Sequence, residues 1–399
     1  MFRRFAFLAA ALIGALSIGV GAANAQGVIK IGAAAAKTGP LAGGAAITHW
    51  PNIKLWSTEV NARGGLKMKD GTRRKVEIIE YDDRTDPAET IKAVGRLATS
   101  DKVDFIIAPY ATGLNLAAAP EFAKYGYPQI AMTSITDQTE MLAKRYPGIF
   151  FVLGRTTALA QSVADILAKM HKEGKIGNKV AMVNVADDFG IELAVAARPI
   201  FKKAGLEIVY DKSYPITTQD LSPIIKGAKA ANPDAFVAWS YPPDTIGLTE
   251  LAKIENLNVK AFYTAVGTAF AFYGQKFGKS VEGNLGAGGI DPDTKELKAY
   301  YAEHKKVTGQ DADYWASPVT YAGLQVLEQA IEAVGSVDRK AVTAYIKTGT
   351  FHTVMGTWKF KNQEIMNYWT VGQWQNGVFY GVASTGMPGA KPVELKAGW

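Results

Sequence analysis

Val76-Glu77-Ile78-Ile79-Glu80-Tyr81 is followed by Asp86-Pro87, a helix-forming run to Ala98, and then Val103-Asp104-Phe105-Ile106-Ile107-Ala108. The first and last segments are rich in β-branched and aromatic residues and read as strands. Asp86 is placed to accept the free N–H groups of a helix start. Pro87 suits the first helical position because it has no N–H to leave unpaired. Strand, helix and strand in this order form a βαβ unit, whose two strands lie parallel.

The same alternation runs in both directions from this unit. Upstream, 28–32 reads as a strand, followed by a Gly/Ala-rich loop and a helix over about 47–61. Downstream come a helix through 117–125 and strands at 129–132 and 148–153. The pattern then restarts, with helices at 156–172, 190–204, 221–230 and 244–256 and strands at 179–185, 206–210, 234–239 and 260–264. Most strands are continuous apolar runs, as expected where helices cover both faces of a sheet. Helices are expected again at 293–307, 317–333 and 338–347, and strands at 353–360 and 368–380. Asn376-Gly377 between apolar runs signals a hairpin. The two series predict an α/β fold with two doubly wound parallel-sheet lobes.

Met1 to Ala25 carry a different signal. Arg3 and Arg4 precede an apolar run to Val20, and the segment closes with Ala23-Asn24-Ala25. This is the layout of a secretory leader cut after Ala25, and the protein is expected to work outside the cytoplasm, in the periplasm. The mature chain is too long for one ordinary domain. Two of its +7 net charges belong to the leader, and no dense Lys/Arg tract follows, so nucleic acid is not an expected partner. The chain has no Cys, so its core must hold it without disulfides.

Motifs for catalysis are missing. The run from Gly274 to Ser280 has three residues between its glycines where a phosphate loop needs four. His49, His171, His304 and His352 are isolated and show no metal-ligand spacing. His171 and His304 read as solvated helix residues, whereas His49 falls in the first loop, within reach of a ligand. Asp82-Asp83 and Asp187-Asp188 read as solvated or capping acids. No cofactor, metal or catalytic residue is expected. What remains is a set of loops at the carboxyl ends of expected strands, where ligands bind in open α/β sheets. They include Gly44, Tyr110, Thr112, Thr133, Ser134, Phe189, Tyr241 and Val266. Helix starts in such loops favour an anion such as a carboxylate.

Several segments resemble the periplasmic branched-chain amino-acid-binding proteins. They are Ile29-Lys30-Ile31-Gly32 with Thr38-Gly39-Pro40-Leu41-Ala42, Asn61-Ala62-Arg63-Gly64-Gly65-Leu66, Tyr81-Asp82-Asp83 with Asp86-Pro87, and Thr353-Val354-Met355-Gly356 with Phe360. The resemblance implies a type I periplasmic binding protein serving the membrane permease of an ABC importer. It implies lobes of 26–153 with 290–356 and 157–286 with 361–399, joined by three crossings near 153–157, 286–290 and 357–361. A monomer is expected. Carried over position by position, the hydroxyl that holds a ligand carboxylate falls on Thr112. The backbone of Thr133 falls next to it, with Ser134 or Thr136 close by. Aromatic positions fall on Phe189 and Tyr241. The acid that pairs with an amino-acid ammonium falls on Val266, and a position often occupied by Tyr falls on Gly44.

These departures keep the carboxylate end and remove the partner of the ammonium. The expected function is therefore non-enzymatic delivery of a small carboxylate, with an aromatic or other non-amino acid favoured and Trp50, Phe189, Trp239, Tyr241 and Tyr263 as candidates to sandwich a ring. Branched-chain or other amino acids are the alternative ligands. An extracytoplasmic enzyme on the same scaffold is the alternative of another class.

Overall fold

The computed structural model describes residues 27–399, so the leader expected over 1–25 lies outside the described residues. In the first lobe, Ile29–Ala35 lies between Val76–Asp82 and Phe105–Ile107, all parallel, with Ile31 opposite both Ile78 and Phe105. Gln129–Ala131 and Ile149–Phe151 pair in parallel next in order, with Glu364–Ile365 parallel beside them and Phe360–Lys361 antiparallel at the edge. The second lobe is built on a seven-stranded sheet in the order Val378–Thr385, Tyr368–Gln375, Leu285–Ala287, Ala261–Thr264, Ala235–Trp239, Lys179–Val185, Glu207–Tyr214. Its strands are parallel except at the C-terminal hairpin. The α/β architecture is the one the alternation of elements predicts.

Local rules explain the individual elements. In the helix Pro87–Thr99, the Asp86 side chain accepts from the Glu89 N–H at 2.9 Å. Thr90, Ala93, Val94 and Leu97 are its buried residues, a stripe at helical spacing that faces the sheet. Two expectations fail locally. Ala42-Gly43-Gly44 is not loop but the first turn of the helix Ala42–Thr48, which meets a second helix, Trp50–Ala62, at His49. The strand expected over 353–360 is broken into the hairpin Phe351–Thr353 and Gly356–Trp358, which precedes Phe360–Lys361. His304, read as solvated, is buried, and its Nδ1 lies 3.1 Å from the Gln310 carbonyl.

The chain passes between the lobes three times. The first passage lies between Phe151 and Thr156, and the second between Ala287 and Lys295. The third lies between Ile365 and Tyr368, later than the expected 357–361. Two contacts hold 360–365 to the first lobe. The Phe360 ring packs on Phe150 at 5.2 Å, and Arg155 makes two charge-assisted bonds to Glu364, at 2.8 and 2.6 Å.

In the second passage, Gly288 sits at φ +87°, and a Cβ there would overlap the Trp315 indole. The glycine is what lets Trp315 pack against the crossing. Gly288→Ala is expected to cost about 2–4 kcal/mol, from left-handed backbone strain plus overpacking. Gly71→Ala, also at positive φ but with open space around its Cβ, should cost only the strain. Urea unfolding of both variants checks the difference.

Candidate functional site

The carboxyl ends of the strands converge on the space between the lobes. On the first lobe, Phe105–Ile107 leads through Pro109, Tyr110 and Ala111 into the helix Thr112–Tyr125. Ala111 holds φ +79° and ψ 157°, a region that L-residues avoid at a cost of about 1–3 kcal/mol. Hydrogen bonds impose it. The Ala111 N–H donates to the Thr133 hydroxyl at 3.0 Å, and that hydroxyl donates to the Pro109 carbonyl at 3.2 Å. Asn115 donates to the Pro109 and Ala111 carbonyls at 2.7 and 2.9 Å. With Ala111 at the cap, no side chain accepts from the first-turn N–H groups of the helix, and the acid beside that turn is Asp188 of the second lobe, next to Gly113.

The second lobe contributes Phe189 and Tyr241. Phe189 lies in the first turn of Asp188–Lys203, where Asp187 caps the Gly190 N–H at 2.9 Å. Tyr241 caps Pro242–Ile254, and Asp244 accepts from both the Tyr241 N–H at 3.3 Å and the Tyr214 hydroxyl at 3.2 Å. The Phe189 and Tyr241 rings lie 4.9 Å apart, tilted by 31°. With Tyr110, Thr133 and Val266 they line a small cavity, completed by Leu153 from the first crossing and Trp315 from the start of Ala316–Val334. Its volume is about 20 Å³, room for about one water. A ring-sized occupant therefore requires the walls to part.

None of the residues lining this cavity is acidic or basic. The nearest acids lie behind the wall. The Tyr241 hydroxyl is buried beside the Asp187 carboxyl but does not reach hydrogen-bonding geometry with it. Burial pushes the Asp187 and Asp244 carboxyls up to about 6. Burial, reinforced by the Asp313 charge, also holds the Tyr110 phenol above its ordinary range. A larger groove of about 1220 Å³ runs beside Tyr301, Tyr314 and Trp374, away from these strand ends.

The structure brings Tyr110, Thr133, Phe189, Tyr241 and Val266 together and leaves other expected residues out. Thr112 does not line the cavity. Its hydroxyl accepts from the Ile135 N–H at 3.2 Å and donates to the Ile135 carbonyl at 3.3 Å, so its proton is not free for a ligand carboxylate. Ser134 is fully buried beside the cavity wall, with an unpaired hydroxyl. His49 is also fully buried, edge-on to Trp50 at 5.5 Å, and both its ring nitrogens are unpaired. Trp50 donates to the Ala36 carbonyl, and Trp239 and Tyr263 pack on each other in the core. The space beside Gly44 is filled by the Tyr110 phenol, which a Cβ there would strike. Trp315 is the wall residue that sequence reasoning missed. Its signal is Asp313 ahead of the helix, whose carboxylate accepts from the Trp315 N–H at 2.8 Å and the Ser317 N–H at 2.9 Å.

Residues 28–378 match the family described as periplasmic binding protein. The chain belongs to that family. It is the solute-binding component of an ABC transporter and works outside the cytoplasm. This binding protein is 25% identical over 335 residues to the Leu/Ile/Val-binding protein of Escherichia coli (strain K12), covering 84% of this chain and 87% of that one. Its fold matches that of a solute-binding protein from R. palustris in complex with benzoate, with a TM-score of 0.77 at 18% identity over 92% of this chain and 99% of that one. A TM-score of 0.76, at 19% identity over 90% and 99% of the two chains, relates it to a branched-chain amino acid binding protein from Streptococcus pneumoniae in complex with isoleucine.

Two outcomes are expected of the binding protein's own residues. Thr112→Ala leaves the buried N–H and carbonyl of Ile135 unpaired and should cost about 1–3 kcal/mol of stability, read as a lower denaturation midpoint in the ligand-free protein.

The second concerns His49, which burial pulls down to about 4. A histidine lowered on folding contributes stability that is complete above its unfolded value and is lost as pH falls toward its folded one. Asp83, Asp187, Asp244 and Asp313, raised to about 6 by burial, act in the opposite sense. His49→Phe removes one contribution and keeps the other. Its stability relative to wild type should therefore improve by about 2 kcal/mol between pH 7 and pH 5 in paired urea titrations.

Proposed function

We propose that this protein captures a small carboxylate between its lobes, with an aromatic acid lacking an ammonium group favoured, and delivers it to the membrane permease of an ABC importer. The observation that carries the reading is the composition of the cavity wall. Four aromatic residues, Tyr110, Phe189, Tyr241 and Trp315, enclose it from both lobes. A helix start with no side-chain cap stands at one end, and the wall includes no acid.

A carboxylate accepting from main-chain N–H groups gains about 1.5–3 kcal/mol per charge-assisted bond. Each well-placed ring adds about 0.5–1.5 kcal/mol beyond the area it buries. An ammonium brought into the same space needs an acceptor of opposite charge, or it costs several kcal/mol. Val266 offers none, and Asp187 is engaged in capping Gly190. The benzoate complex of the R. palustris relative supports this reading. A further R. palustris solute-binding protein, in complex with 4-hydroxybenzoate, has a TM-score of 0.74 at 21% identity over 90% of this chain and 97% of that one. No nucleophile–base pair lines the cavity, which favours binding and release over turnover.

Because the cavity has room for about one water, entry and release of a ring-sized solute require the lobes to part at the three passages, with lobe bodies of 27–153 with 290–365 and 157–286 with 368–399. Ligand that touches both lobes draws the population to the closed form. Amino-acid binding is the second reading, favoured by one observation. The buried Asp187 carboxyl stands beside the Tyr241 hydroxyl, within the wall that faces the cavity.

Calorimetry separates the two readings. Benzoate or 4-hydroxybenzoate should bind at micromolar affinity or tighter, with leucine, isoleucine and valine at least about tenfold weaker, a gap of about 1.4 kcal/mol. Leucine binding tighter than both benzoates would overturn the preference in favour of the amino-acid reading.

A further inference from the structure

The helix Asp188–Lys203 carries Glu192 one turn beyond Phe189, on the second lobe. Its half-buried carboxylate reaches across to the first lobe. Oε2 accepts from the Thr136 hydroxyl at 2.8 Å, and Oε1 accepts from the Asp137 N–H at 2.6 Å. Thr136 and Asp137 lie in the loop between Gln129–Ala131 and Thr139–Arg145. The Thr136 hydroxyl itself accepts from the Gln138 N–H at 3.1 Å, which directs its proton at Glu192.

A second carboxylate crosses the other way. Asp137 accepts from the Thr157 N–H at 3.1 Å and the Thr157 hydroxyl at 2.8 Å, at the start of Thr156–Lys172. The Thr156 hydroxyl, on the same lobe as Glu192, reaches Oε1 at 3.3 Å. Two acids are thus exchanged between the lobes beside the first crossing. Their donors are neutral hydroxyl and amide groups, so the exchange brings no opposite charge that would hold the lobes together in every state. When the lobes part, Glu192 keeps Thr156 and loses Thr136 and Asp137 to water.

The loop it grips is the one that builds the cavity. Thr133 and Ile135, three and one residues before Thr136, form part of the wall, and Ile135 is the residue stitched to Thr112. We propose that Glu192 is a positioning residue that touches no ligand. It clasps the loop 133–137 across the lobes, sets the cavity wall before ligand arrives, and holds a closed population of the ligand-free protein. Another acid of the same helix, Asp188, approaches the first lobe more loosely. Its Oδ2 lies 3.1 Å from where a Cβ on Gly113 would stand, in the first turn of Thr112–Tyr125.

The test uses no ligand and is independent of which solute the protein carries. The chain has no Cys, so Lys54→Cys on the first lobe and Ile254→Cys on the second, both exposed, give one spin-label pair. After unfolding, dialysis and refolding to strip carried solute, pulsed dipolar spectroscopy reads the distance between the lobes. Wild type should show a short-distance population matching this structure. In Glu192→Ala the ratio of that population to the long-distance one should fall at least about tenfold, because two charge-assisted bonds to the first lobe are lost. Glu192→Gln, which keeps one acceptor for the Asp137 N–H, should fall between the two. Thr136→Val changes the opposite lobe and keeps the test open should Glu192→Ala fail to fold. Combining it with Glu192→Ala should add little to either alone. A ligand-free wild type with no short-distance population overturns the proposal, as do variants with an unchanged distribution.

Discussion

One hydroxyl, that of Thr133, fixes the geometry on which the interlobe site depends. It accepts from the Ala111 N–H and donates to the Pro109 carbonyl. The backbone at Ala111 can then hold φ +79°, which no alanine adopts unaided. The turn it creates aims the helix Thr112–Tyr125 at the space between the lobes and leaves the cap position without a competing side chain. Thr112 closes the stitch from the other side by holding both polar groups of Ile135. Strain at one residue is therefore stored in a small buried network, and the first-turn N–H groups of the helix are left without a side-chain acceptor.

The chemistry of the wall follows from what this network uses up. The hydroxyls of Thr112 and Thr133 are occupied in holding the loops, whereas that of Ser134 is buried without a partner. The remaining wall is apolar. In such surroundings a carboxylate is acceptable where amides already point, whereas a cation without an acid is not. Asp187 and Asp244 show the same low-polarity environment from behind the wall, since desolvation raises both.

Much of the fold was legible in the chain because it rests on short-range rules. The alternation of apolar runs with helical stretches, Pro87 after Asp86, and Asn376-Gly377 between strands each report on neighbours within a few residues. The limits of that reading appear where packing between distant segments decides. Phe360 is held to the first lobe by Phe150, and Glu364 pairs there with Phe151, so the third passage comes later than the family resemblance implied. His49 sits at a joint between two helices that buries it completely, although its place after a Gly/Ala-rich segment read as loop.

For the site, the sequence by itself placed Tyr110, Thr133, Phe189, Tyr241 and Val266 in loops at strand ends, where ligands bind in open α/β sheets. Only the tertiary structure decided what each side chain does there. Thr112 spends its hydroxyl on Ile135, a partner 23 residues away. Trp239 and Tyr263 turn into the core of the second sheet. Trp315 enters the wall because Gly288, on a different crossing, leaves room for its ring. Position along a strand is set by local periodicity. The direction and partners of a side chain are set by atoms that approach only when the whole chain has packed.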